Sequence, residues 1–158
     1  TPENDHANVG IAEDEFAGVE GDLGGVKARG LLCHGAPRLR GGEESFRDIN
    51  CLPFAPTRDD PYSGAGILNF VFGEVWLRPG LGHRERRLIT VACVAFQDAE
   101  LPIQSHVYAA LKSGDVSPTE MDELALHFAA YYGWPKASRL NDAIAEQKRR
   151  IAAETAQR

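Results

Sequence analysis

The sequence predicts an all-α protein: a helical bundle of about five to six helices behind a mostly irregular N-terminal arm. Two observations carry this. After Pro61 apolar residues recur at helical spacing, and no pair of alternating segments reads as strands. Before it, Gly21, Gly24, Gly25, Gly30, Gly35, Gly41 and Gly42 interrupt the chain too often for a long helix. The chain therefore divides near residue 62, into an arm (1–61) and a helical domain (62–158).

Within the arm, short helices are expected over Asp14–Glu20 and Glu43–Ile49, with an extended run over Val26–Cys33. A segment this loose is expected to lie over the helical domain or a neighbouring subunit. Ser63–Leu77 carries Ile67, Leu68, Phe70, Val71, Phe72, Val75 and Trp76, and reads as an apolar helix that Pro79, Gly80 and Gly82 end. His83–Phe96 opens with His83, Arg84, Glu85 and Arg86, then turns apolar, as a central helix does. Glu100–Lys112 follows. Its Pro102 falls in the first turn, where a missing N–H does no harm. Ser117, Pro118 and Glu120 form a capping-box start for a helix reaching Tyr132 and stopping at Gly133. The last helix begins near Pro135. Its charged end, Glu146–Arg158, is expected to be solvated or frayed.

The 158 residues suit one domain of ordinary size, and a hydrophobic share of 43% makes the chain globular. A net charge of −6 argues against a nucleic-acid partner, whose phosphates need a cationic footprint. Arg84, Arg86 and Arg87 are the densest basic group before the tail. Cys33, Cys51 and Cys93 give neither a disulfide framework nor a zinc pattern, so a reducing cytoplasm is the simple expectation. The first twenty residues are acidic and lack the apolar region of a signal peptide. No apolar stretch is long enough for a membrane span.

Several residues could carry chemistry. His106 lies mid-helix among apolar neighbours; it is either a proton donor or a core histidine bonded to backbone. Glu74 falls in an apolar stretch where a carboxylate needs a partner, and Arg78 stands four positions on. Arg78 is a candidate anion holder or a helix-end residue satisfying carbonyls. Glu100 suits a helix N-terminus and could also meet substrate. Glu123 and His127 share a helical face, which reads as a polar pair at a subunit contact; no His-Glu-x-x-His metal pattern is present. Tyr131, Tyr132 and Trp134 would pack at an interface or line a pocket wall. Cys33-His34 falls among glycines and is a poor nucleophile arrangement.

The ordered set Phe72-Gly73-Glu74-Val75-Trp76-Leu77-Arg78-Pro79-Gly80-Leu81, Arg87–Ala92, Glu100-Leu101 with His106, and His127–Ala137 resembles the carboxymuconolactone decarboxylase family across roughly half the chain. The resemblance implies helical subunits assembled as a homotrimer or hexamer. One branch of that family reduces peroxides with a Cys-x-x-Cys pair followed four residues later by His. If His106 matches that His, the cysteine positions fall on Ala99 and Pro102, so the redox pair is missing. A thiol peroxidase would instead need an exposed Cys93 beside His106.

The other branch implies a cofactor-free decarboxylase of a small anionic lactone such as 4-carboxymuconolactone, in aromatic compound degradation, with no metal. His106 and Glu74 would be catalytic. Arg78, Glu100, Trp76, His127 and Tyr132 would bind substrate. The competing reading is a non-catalytic or stress-related helical oligomer on the same scaffold.

Overall fold

A computed structural model describes residues 36–157, with side chains from Arg40 onward. The expectations for Asp14–Glu20, Val26–Cys33 and Cys33-His34 lie outside the described residues. The described part is helical and contains no strand. Helix α1 spans Ala36–Asn50, followed by a π-helix (Tyr62–Phe72) and a single 3-10 turn (Val75–Leu77). Helices α2 (His83–Phe96), α3 (Glu100–Ser113), α4 (Pro118–Tyr132) and α5 (Trp134–Ala156) complete the order.

Helix α1 includes the expected Glu43–Ile49 but continues back through Gly41 and Gly42. Gly42 is useful there because a Cβ would collide with the Leu68 backbone, so its missing side chain lets α1 cross the π-helix closely.

The expected helix over Ser63–Leu77 is two pieces. The wide π-winding ends at Phe72, Glu74 leaves helical geometry (φ −133°, ψ −65°), and Trp76 rides on the short 3-10 turn. Arg78 then turns extended (φ −68°, ψ 142°), as a residue before proline must.

Helices α2 to α5 pack around Val91, Ala95, Ile103, Val107, Met121, Phe128, Leu140 and Ile144. A second cluster joins Ile49 to Phe72 and Trp76, with Phe46, Ile67 and Val71 against it. Gly114 closes α3 in the left-handed region (φ 78°), a conformation glycine adopts without strain. The capping box at the start of α4 is complete. The Ser117 hydroxyl accepts from the Glu120 N–H, and the Glu120 carboxylate accepts from the Ser117 N–H.

The charged end of α5 is largely solvated, as expected, but it is not frayed; it is helical to Ala156. Glu154 holds it, accepting from Tyr108 and Lys112 of α3 and from Arg150 one turn earlier.

Candidate functional site

The two apolar clusters meet at Arg87. This residue follows the polar opening of α2, but it stands four and eight positions before Val91 and Ala95, on the stripe that faces the core. Its side chain is only 1% exposed. A guanidinium that deep needs partners. Its Nε donates to Asp115 Oδ2 at 3.1 Å, in the turn after α3. One terminal nitrogen, Nη2, donates to the Ile49 carbonyl at the end of α1. The other, Nη1, is buried and has no hydrogen-bond partner among the described residues. Arg87 thus ties α1, α2 and the α3–α4 turn together and still has a donor to spare.

The Trp76 ring covers this guanidinium, with the Arg87 Cζ 5.1 Å from the ring centroid. The same ring is stacked on His106 of α3, with centroids 6.3 Å apart and planes at 2°. Phe72 stacks on Trp76 at 6.0 Å, and His83 meets it edge-on at 6.3 Å. An indole is well suited to this position because its face favours a cation and its area excludes water.

Burial and, second, the Arg87 charge push the His106 imidazole down to about 4. At neutral pH the ring is therefore uncharged. Its Nδ1 is buried without a partner among the described residues. Burial also lowers the Arg87 pKa, against the opposing pull of Asp115.

Glu74 and Arg78 flank Trp76 on its own segment and form an i,i+4 ion pair at 3.6 Å. Arg86 reaches back to this segment, donating to the Arg78 carbonyl at 2.7 Å. The structure thus gathers Trp76 and His106, with Glu74 and Arg78 on the segment that carries the indole.

The remaining sequence-predicted residues stand elsewhere. Glu100, at the first turn of α3, accepts from Arg139 of α5 at 2.9 Å. Exposed His127 and Tyr132 line an open groove of about 220 Å³ with Ala92, Leu124, Phe128 and Tyr131. A second open groove, of about 340 Å³, runs between α4 and α5 past Leu126, Trp134 and Asn141. Among the described residues no three His, Cys, Asp or Glu side chains group as metal ligands. Cys51 and Cys93 are free thiols. Cys93 is exposed on α2, and burial raises the Cys51 thiol away from the thiolate form.

Sequence reasoning missed Arg87 as a site residue. It reads there only as one of the three arginines of the densest basic group before the tail. The signal that could have singled it out is its spacing from Val91 and Ala95.

Residues 61–146 match the model of the carboxymuconolactone decarboxylase family. Over 72 residues the chain is 38% identical to a 4-carboxymuconolactone decarboxylase of Acinetobacter baylyi, covering 46% of this chain and 53% of that protein. Over 69 residues it is 38% identical to a nitrosuccinic acid decarboxylase of Metarhizium robertsii, covering 44% of this chain and 48% of that protein. The chain spans about half the length of the curated relatives it matches. No solved structure matches it significantly. With a family match that takes in the Trp76 segment and helices α2 to α4, this chain belongs to the carboxymuconolactone decarboxylase family.

Proposed function

We propose that the protein is a cofactor-free decarboxylase of a small carboxylated anion, such as 4-carboxymuconolactone, with His106 delivering the proton. The observation that carries this reading is the His106 imidazole, its Nδ1 buried and unpartnered among the described residues, parallel to Trp76 and subject to the Arg87 charge. Both relatives are named as decarboxylases of small organic acids, which supports the reaction class.

The chemistry follows from the charges. When the C–C bond to the carboxylate breaks, CO2 leaves and the electron pair stays with the substrate. A conjugated carbonyl accepts it, and a proton must then reach carbon. A neutral His106 is a poor acid. An anionic substrate would offset the Arg87 field and stabilise the imidazolium, so binding would itself charge the proton donor. Glu74 serves as its acid–base partner on the covering segment. Arg78, half exposed beside it, guides the substrate carboxylate.

The protein would act as a homotrimer or hexamer. Support comes from the apolar surface of α2, α4 and α5, where Ile89, Phe96, Leu126, Tyr131, Tyr132 and Trp134 are exposed. His127 and Tyr132 would then form a pocket wall or contact at a neighbouring subunit, and Glu100 an edge position. The described part of the arm, residues 36–61, would act as a cover on the segment that carries Trp76. Within that arm, α1 lays Phe46 and Ile49 against Phe72 and Trp76. The free thiols accord with a reducing cytoplasm.

The test is CO2 release from a panel holding 4-carboxymuconolactone, related lactone acids and nitrosuccinate, with no metal or cofactor added. Release supports the reading. No release from any acid, or release only with an added redox cofactor, overturns it.

A further inference from the structure

Among the described residues Arg87 is the largest side chain that is fully buried, and its environment is unusual for a structural arginine. A guanidinium has five N–H donors, and a buried one that serves only to hold the fold should have its donors used. Here Asp115 and the Ile49 carbonyl fix the group, yet Nη1 is left without a partner. Across the same indole ring, His106 Nδ1 is also buried and unpartnered. Both nitrogens stand beside one indole ring, and the described residues use neither of them. Together they can complement a carboxylate: Arg87 donates to one oxygen, and a protonated His106 donates to the other.

The cover over the pair is light. Trp76 rides on a three-residue 3-10 turn, with non-helical Glu74 before it and extended Arg78 after it.

We propose that Arg87 and His106 form a buried seat for one carboxylate of a small organic acid, closed by Trp76, and that Arg87 is the residue that selects for the anion. This rests on the reading of the protein as an enzyme of small carboxylated anions. It assigns the innermost anion contact to Arg87 and leaves guidance at the entrance to Arg78. One arginine carries one positive charge, and Asp115 already pairs with it. Seating an anion there therefore draws a proton onto Nδ1 of His106, and the complex forms with uptake of that proton from solvent. The charge acting on His106 is that of Arg87, and those acting on Arg87 are Asp115 and Cys51. His83 meets the edge of the Trp76 ring.

The experiment is calorimetric titration of the full chain with succinate near pH 6, repeated in buffers of differing ionisation enthalpy, with succinamide as the neutral control. The expected result is succinate binding with uptake of about one proton, and no succinamide binding. His106→Gln should abolish the uptake. Arg87→Lys should weaken succinate at least about tenfold, because the planar fork is lost. Where Arg87→Lys fails to fold, Asp115→Asn decides: it keeps the guanidinium and frees a donor, so succinate should bind at least as tightly. The proposal is overturned by no succinate binding, by binding without proton uptake, by wild-type affinity in Arg87→Lys, or by about tenfold weaker binding in Asp115→Asn. A protein that binds succinate with proton uptake but releases CO2 from no acid refutes the decarboxylase reading and keeps this site. CO2 release together with unaltered binding in Arg87→Lys does the reverse.

Discussion

The imidazole of His106 lies parallel to the indole of Trp76, with planes at 2° and centroids 6.3 Å apart. The contact joins α3 to the 3-10 turn, beside an imidazole that burial, as the larger cause, holds uncharged. Removing the indole should reverse this. Trp76→Ala is expected to cost about 3–5 kcal/mol, as large aromatic truncations in a core do. In the folded fraction, an NMR titration should show the His106 pKa rising from about 4 toward the ordinary 6.5. A titration that stays where it was would show that the indole does not seal the site.

The same depressed value makes a stability prediction. The folded-state pKa of His106 lies below its unfolded value, so between pH 6.5 and about 4 the unfolded chain holds more protons. Stability is therefore full above pH 6.5 and falls as pH drops toward 4. The loss from this one group is at most ~3 kcal/mol. Urea unfolding at pH 7.0 and 5.0 should show it, and His106→Gln should flatten the dependence in that window. An unchanged dependence in the variant would assign the effect to other groups.

Asp115 should matter more than a surface carboxylate. It is the acidic partner of a guanidinium that cannot reach water. Asp115→Ala leaves that charge unpaired and should cost about 2–4 kcal/mol, somewhat under the range for fully buried pairs because Asp115 is partly exposed. The loss of a surface pair such as Lys148–Asp122 should cost well under about 1 kcal/mol. Chemical denaturation of the two variants checks the contrast.

At the start of α4, Ser117→Ala removes the acceptor for the Glu120 N–H and should cost about 1 kcal/mol. Glu120 has a further partner in Arg84, at 2.5 Å, and these contacts hold its carboxyl down to about 2, with Arg84 the larger cause. The cap should therefore stay intact at pH 4, and the cost of Ser117→Ala should be the same there as at pH 7.

This capping box shows how much of the fold could be read from sequence. Ser117, Pro118 and Glu120 state a local rule, and the helix begins where the rule puts it. Helix α2 likewise has the expected bounds, because its glycine-rich entry and apolar interior are local signals. The stretch from Tyr62 to Leu77 did not yield to the same reasoning. Its apolar residues fit a helix, but only packing distinguishes π-winding and a separate 3-10 turn from one continuous α-helix. The charged end of α5 is solvated as expected, but that it is not frayed could not be read locally, because its partners Tyr108 and Lys112 come from a distant part of the chain. The candidate site divides in the same way. His106 and Trp76 stand out by residue type, but their stacking is a tertiary fact. Arg87 was hidden because it stands with Arg84 and Arg86 in the densest basic group before the tail. Its buried spacing with Val91 and Ala95 was the contrary signal.

The central claim is that His106 delivers the proton in a cofactor-free decarboxylation. The most direct test compares kcat of the wild type and His106→Gln on the best acid from the panel, with Arg78→Gln as a control for substrate guidance. The account predicts that His106→Gln lowers kcat by about 10²–10⁴-fold while the helical fold persists, and that Arg78→Gln mainly raises KM. A His106→Gln protein that decarboxylates the same acid at the wild-type kcat would contradict it.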